Sequence, residues 1–310
     1  MQTSCIWSGR RRGSVFVLRL IAFLIFSATP WFAGWALAQE KPVVVSSFTV
    51  IHDWVQTIGG EGFNSINIIP PRSEAHGFQL SPRQAKDLRR ATLIVAMSPE
   101  FEPWLAAWGK ANGRSDTILW LNDYNGVQPP LHLPPNPHAW TDPAKVQTMA
   151  KALAERLDQI SGTNKSQIAY QQYVKDIKAV DSELGKLFGE IKPERRVFIS
   201  HHANLDLFAD HYGLTVAGTI LSGGSAESAD PSARHFSELL ALIRKQKIRL
   251  IITDEGQNDA FARRLTEDAG LPPPLSLSFE YLEPAGLPGD TWASMMLING
   301  KRLHQALLGR

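Results

Sequence analysis

The sequence predicts an α/β protein of two lobes, each carrying a roughly four-stranded, mainly parallel sheet flanked by helices, with one long rigid helix joining them. Three observations lead there. Short β-branched or apolar runs alternate with amphipathic helical patterns, the signature of βαβ units and parallel sheets. The alternation stops between Pro143 and Gly189, where only helical periodicity is found, and then resumes. Once a leader is set aside, about 270 residues remain, enough for one large domain or two ordinary ones.

Residues 1–38 read as a signal peptide. Arg10, Arg11 and Arg12 supply a positive start, Val15 to Phe26 is an apolar run broken by Arg19, and Ala36-Leu37-Ala38 is an A-x-A site with cleavage expected before Gln39. The apolar run is short for a membrane span. No cysteine stands at the cleavage point, so a lipid-anchored lipoprotein is not expected. The only cysteine, Cys5, leaves with the leader. The mature chain then has no disulfide and no thiolate ligand, and any metal in it must be held by nitrogen and oxygen. The leader carries four arginines and no acid, which leaves 28 basic against 30 acidic side chains. A near-neutral chain without a basic stripe gives no reason to expect a nucleic-acid partner. The periplasm is the expected compartment.

The N-terminal lobe is expected over 39–164, with strands at Val43–Thr49, Ile66–Ile69, Thr92–Met97 and Thr117–Leu121 and helices at Ser81–Arg90 and Pro103–Ala111. Asp142-Pro143 reads as a helix cap followed by proline at the first helical position. The linking helix is expected within 165–191. Its apolar face carries Ile168, Tyr173, Ile177, Val180, Leu184 and Leu187, and about 23 residues would span about 35 Å. The C-terminal lobe, 192–310, has strand signals at Arg196–Ser200, Leu214–Ile220, Leu250–Thr253 and Leu275–Ser278, with helices at Pro231–Lys245 and Asp259–Ala269.

Nine histidines are present, and their placement is informative. Ligands of open parallel sheets bind beyond the carboxyl ends of strands. His76 follows the second strand, His138 follows the fourth, His201 and His202 end the first strand of the second lobe, and Glu280 follows the last. Three imidazoles and one carboxylate would suit Zn²⁺, or Mn²⁺ with more oxygen ligands. His211, His235 and His304 fall within helical patterns and are expected to face solvent. Trp104, Trp108, Trp140 and Trp292 are expected to pack in the core or between lobes.

Several stretches resemble the zinc/manganese solute-binding proteins of metal ABC importers. "NPHAWTDPAKVQTMAKALAERL" is similar to that family's Asp-Pro-His-x-Trp-x-Asp-Pro motif. "SEAHGFQLSPRQAKDLRRATLIVAMSPEFEPWL", "HANLDLFADHYGL" and "DTWASMMLINGKRLHQAL" match in order and spacing, so the resemblance covers almost the whole mature chain. It implies a solute-binding protein that captures a divalent metal ion between its lobes and delivers it to an inner-membrane permease, with no reaction catalysed and a monomer expected. Zinc is the first expectation for the transported ion and manganese the second. By position His76 and His138 take the places of two ligands. The third falls on His202 by an ungapped count back from "YGL", with His201 as the alternative. Glu280 stands where many relatives carry an aspartate, and Glu283 is a fallback. Glu255 looks like a carboxylate that would orient a liganding histidine rather than bind metal. The long His-rich loop of some zinc-specific relatives is absent, and His132 alone is a poor substitute. From another class, a secreted metal-dependent hydrolase could use the same site, with water at an open position and Glu255 or Glu280 as base.

Overall fold

The computed structural model describes residues 40–73, 75–124, 136–221 and 231–309; the leader, its cleavage site and His132 lie outside them. Strands β1 (Val43–Ser46), β2 (Asn64–Asn67), β3 (Leu93–Ala96) and β4 (Ile118–Trp120) make a parallel sheet in the order β2-β1-β3-β4. Val44, Val45 and all of β3 are buried, as expected when helices cover both faces. Helices α1 (Thr49–Gly59), α2 (Pro82–Arg90) and α3 (Pro103–Ala111) provide the crossovers. Ser81 starts α2 with a capping box to Gln84 and Pro82 at the first position. The second strand lies two residues earlier than its apolar pair suggested. Ile68 and Ile69 still donate backbone bonds, to the carbonyls of Ser46 and Ser47, but beyond the paired strand.

Two antiparallel-packed helices follow, as the uninterrupted periodicity required. Helix α4 (Pro143–Ser161) is capped by Asp142, whose carboxylate accepts from Ala144 N, and it ends at Gly162 with φ 67°. Helix α5 (Lys165–Gly189) runs for 25 residues, about 37 Å at 1.5 Å per residue. Asp158 of α4 accepts from the backbone of Ser166 and Gln167 and so caps α5. The buried face of α5 is Tyr173, Ile177, Val180, Leu184 and Phe188.

In the second half, β5 (Val197–Ser200) pairs in parallel with β6 (Thr215–Thr219), and β7 (Ile252–Asp254) with β8 (Leu275–Leu277). A parallel bridge between Ile199 and Ile251 joins the pairs in the order β6-β5-β7-β8. Helices α6 (Asp206–Tyr212), α7 (Ala233–Gln246), α8 (Ala260–Ala269) and α9 (Trp292–Leu308) complete the described residues. Helix α5 packs against α1, α4 and α9. One continuous apolar core includes Val44, Trp140, Leu184, Phe208, Phe279 and Trp292, and therefore draws on both halves. A smaller cluster, with Ile199, Leu239, Ile243 and Leu265, lies beneath α7 and α8. Among the described residues, no helix is long and apolar enough to cross a membrane.

Three expectations need correcting here. His304 is buried rather than solvent-facing, and His235 is half-buried with its Nε2 2.9 Å from the Thr219 carbonyl oxygen. His211 is clasped between Asp142 Oδ1 at 3.0 Å and Asp181 Oδ1 at 2.7 Å, because its helix packs into the angle between α4 and α5.

Candidate metal centre

All four loops beyond the strand ends converge on one point. His76 lies after β2, with its ring centroid 4.6 Å from Phe101 in an edge-on contact. His138 sits where Pro137 and the following turn fix the backbone. Asn136 Oδ1 accepts from the His138 backbone N–H at 2.9 Å and lies 2.9 Å from ring Nδ1. Asn136 in turn donates to the carbonyl of Ala203, which ties this loop to the one after β5. His202 follows β5, and its carbonyl accepts from Ser200 Oγ. Its Nδ1 is 2.7 Å from Asp254 Oδ2, at the end of β7. With Nδ1 of His138 and His202 held as donors, each ring turns the lone pair of Nε2 inward.

Those inward atoms stand close together. His138 Nε2 is 3.3 Å from His76 Nε2 and 3.4 Å from His202 Nε2. Glu280 Oε1 is 3.6 Å from His138 Nε2 and 3.5 Å from His202 Nε2, and Oε2 is 3.6 Å from His76 Nε2. Four donors about 2.0–2.1 Å from a Zn²⁺ ion at the centre of a tetrahedron stand about 3.3–3.4 Å apart. The two nitrogen–nitrogen edges match that figure, and the Glu280 edges, two from Oε1 and one from Oε2, are slightly longer. Oε2 of Glu280 is buried and has no hydrogen-bond partner, so the carboxylate faces the donors with a charge that a cation would offset. A cavity of about 200 Å³, lined in part by Arg72, His76, His202, Glu280 and Tyr281, opens onto the donors.

Electrostatics agree with a cation site. Burial pushes the His138 ring down to about 3, against the opposing pull of Glu280, so it is neutral and able to ligate at ordinary pH. Burial alone would raise Asp254, but the bonds from His201 and His202 outweigh it and hold the carboxyl well below its usual range. Deeper in, burial raises Glu102 to about 7 even though Ser47 Oγ and the backbone of Met97 and Ser98 donate to it.

The structure brings His76, His138, His202 and Glu280 together as one group. His201 is directed instead to Asp254, 2.8 Å from its Nδ1. Glu255, expected to orient a histidine, is exposed; the carboxylate hydrogen-bonded to the histidines is its neighbour Asp254. Successive strand residues point to opposite sides, so the last residue of β7 faces the site and the next turns away. Sequence reasoning also passed over Asn204, whose Nδ2 donates to Asp254 Oδ1 at 2.7 Å and Glu280 Oε1 at 3.1 Å. The readable signal was its place two residues after a candidate ligand. Trp140 does more than pack: its Nε1 donates to the carbonyl of Phe279, next to Glu280, and its own carbonyl accepts from Trp292 Nε1.

Residues 44–306 match the family described as zinc-uptake complex component A, periplasmic. The chain belongs to that family. Membership makes it a substrate-binding component of metal transport rather than an enzyme. Among curated relatives, the iron-binding protein YfeA of Yersinia pestis is 24% identical over 281 residues, covering 84% of this chain and 86% of its own. The metal ABC transporter substrate-binding lipoprotein ScbA of Streptococcus cristatus is 22% identical, covering 94% and 97%. Among solved structures, the periplasmic zinc-binding protein TroA of Treponema pallidum superposes with a TM-score of 0.77 at 23% identity, covering 86% of this chain and 99% of that one. This likeness confirms the two-sheet α/β fold.

Proposed function

We propose that this protein captures one divalent transition-metal ion at His76, His138, His202 and Glu280 and delivers it to the permease of a metal ABC importer, with Zn²⁺ as first cargo and Mn²⁺ as second. The observation that carries the proposal is the convergence of three Nε2 atoms and a carboxylate at near-tetrahedral separations. Three nitrogens and one carboxylate suit zinc; manganese asks for more oxygen. The hydrolase reading needs a position open to water, and Glu280 occupies that corner of the donor set.

The protein acts as a monomer outside the cytoplasm, as 39–164, 165–191 and 192–310 around one binding site. Some relatives are named lipoproteins; here the lone cysteine stands upstream of the expected cleavage point, which supports release without a lipid anchor.

The test is a titration of chelator-stripped residues 39–310 with Zn²⁺ and Mn²⁺, beside His202→Ala, His201→Ala and Glu280→Ala. One-to-one zinc binding that collapses in His202→Ala and survives in His201→Ala is expected. Failure of the wild type to bind any divalent metal at neutral pH would end the proposal. Because ligating imidazoles must be neutral, protons compete with the ion and affinity falls in acid.

A further inference from the structure

Glu280 reaches the donor set through three rotatable bonds, so something must decide how many of its oxygens face an ion. We infer that Asn204 is the positioning residue that fixes Glu280 as a one-oxygen donor and thereby sets a preference for zinc over manganese; the inference rests on the proposed metal site. Asn204 lies in the short turn Ala203–Leu205 immediately after His202 and is 1% exposed. Its amide nitrogen serves two carboxylates at once, Asp254 Oδ1 at 2.7 Å and Glu280 Oε1 at 3.1 Å. Ionised carboxylates only accept, so the edge turned toward them must be the NH₂. The amide oxygen is left facing away, buried and without a hydrogen-bond partner. A buried carbonyl in that state is unfavourable, and the two charge-assisted bonds on the other side are what hold it there.

The result is one unbroken chain: His202 Nδ1 to Asp254 Oδ2, Asp254 Oδ1 to the Asn204 amide, and the same amide to Glu280 Oε1. Both oxygens of Glu280 border the histidines, Oε1 on the side of His138 and His202, Oε2 on the side of His76. The Asn204 N–H takes one lone pair of Oε1 and fixes the carboxylate plane, so that Oε1, which borders two of the three nitrogens, meets an ion through its other lone pair while Oε2 is held toward His76. Three nitrogens and one oxygen then make a closed four-donor site, the arrangement zinc favours. Released from Asn204, the carboxylate can offer both oxygens and produce a five-donor site, richer in oxygen and better suited to manganese.

The experiment compares wild type, Asn204→Ala, Glu280→Asp and the double variant, all as chelator-stripped residues 39–310. Zn²⁺ and Mn²⁺ affinities are measured by competition, and coordination number is read from the visible absorption of the Co²⁺-loaded forms. Asn204→Ala is expected to lose about 10- to 100-fold in zinc affinity while manganese binding changes less, and its Co²⁺ bands weaken as the site expands. In Glu280→Asp the carboxylate is withdrawn from Asn204 and only the Asn204–Asp254 bond remains to be lost, so adding Asn204→Ala costs less there than in the wild type and leaves the Co²⁺ spectrum unchanged. Should the alanine variant fail to fold, Asn204→Ser, too short to reach Glu280, is read in the same way. An unchanged zinc-to-manganese ratio and an unchanged Co²⁺ spectrum in Asn204→Ala would overturn the inference and leave the metal site standing. Equal losses in the wild-type and Glu280→Asp backgrounds would overturn it too, by exposing a general structural role. A wild type that binds none of these metals overturns both.

Discussion

His211 offers a direct test of how the two halves are tied together. It belongs to α6, yet its partners are Asp142 at the start of α4 and Asp181 in the middle of α5. The hydrogen bond from Asp142 raises the imidazole from 6.5 to about 9; burial opposes this and Asp181 adds to it. Lys145 also faces Asp142, at 3.8 Å, so the aspartate is not left bare when the histidine is removed. A folded-state value of about 9 against an ordinary 6.5 corresponds to ~3.4 kcal/mol at ~1.36 kcal/mol per pH unit. With 20% of the side chain exposed, solvent screening brings this to about 2 kcal/mol. The sign follows from proton linkage. The folded protein holds a proton that the unfolded chain releases near pH 6.5, so the stabilisation is complete below pH 6.5 and disappears as pH rises to about 9. Urea denaturation of the chelator-stripped protein between pH 6 and pH 9 reads it directly. The wild type should exceed His211→Gln by about 2 kcal/mol at pH 6, and the two should converge by pH 9. Parallel curves across that range would refute the clasp.

Two further substitutions probe the packing that positions the site. Gly300 lies on α9 where it meets α5, and a Cβ there would press on Leu184, whose side chain is fully buried; Gly300→Ala is expected to destabilise by about 1–3 kcal/mol in thermal melting, and a neutral result would show that the helices can part cheaply. Trp140→Phe keeps an aromatic ring but removes the indole N–H with its 2.7 Å bond to the Phe279 carbonyl and leaves space at a fully buried position; it should cost about 1–3 kcal/mol and weaken zinc binding through Glu280, whereas unchanged affinity would mean that the Glu280 loop is held by other contacts.

Much of this architecture is legible in the chain because strands and helices bury different periodicities. The start of β1 at Val43, the capped start at Asp142-Pro143 and the long helix from Lys165 to Gly189 all lie within a residue or two of their signals, while β1 ends three residues before the expected Thr49, which opens α1. The Ile68-Ile69 pair misled because apolar character reports burial, and burial extends past the last paired residue. At the site, position after a strand end was enough to gather His76, His138 and Glu280 as candidates. What sequence could not settle was direction: His201 and His202 both bond Asp254 Oδ2 through Nδ1, and only His202 carries its Nε2 to the other donors, while Asp254 faces the site and its neighbour Glu255 is exposed. Asn204 and His211 were obscured for a related reason. Their partners are 50 and 76 residues away for the first, and 30 and 69 for the second, distances over which local pattern carries no information.

The core that α5 helps to build has a consequence for how long the molecule lasts. Residues 41–310 form one compact unit, and the same apolar cluster reaches from Val44 to Leu307, so the interior is not divided between the halves. The larger core couples the two halves, because opening either one exposes part of it. If the proposed site holds cargo beside His202, a free-ion concentration at 100 times the dissociation constant would add about 2.7 kcal/mol to the fold, including segments that never approach the ion. The unfolded fraction visible to proteases would then fall about a hundredfold. On the proposed function, supply of the ion would become lifetime of the carrier, with loaded molecules outlasting idle ones.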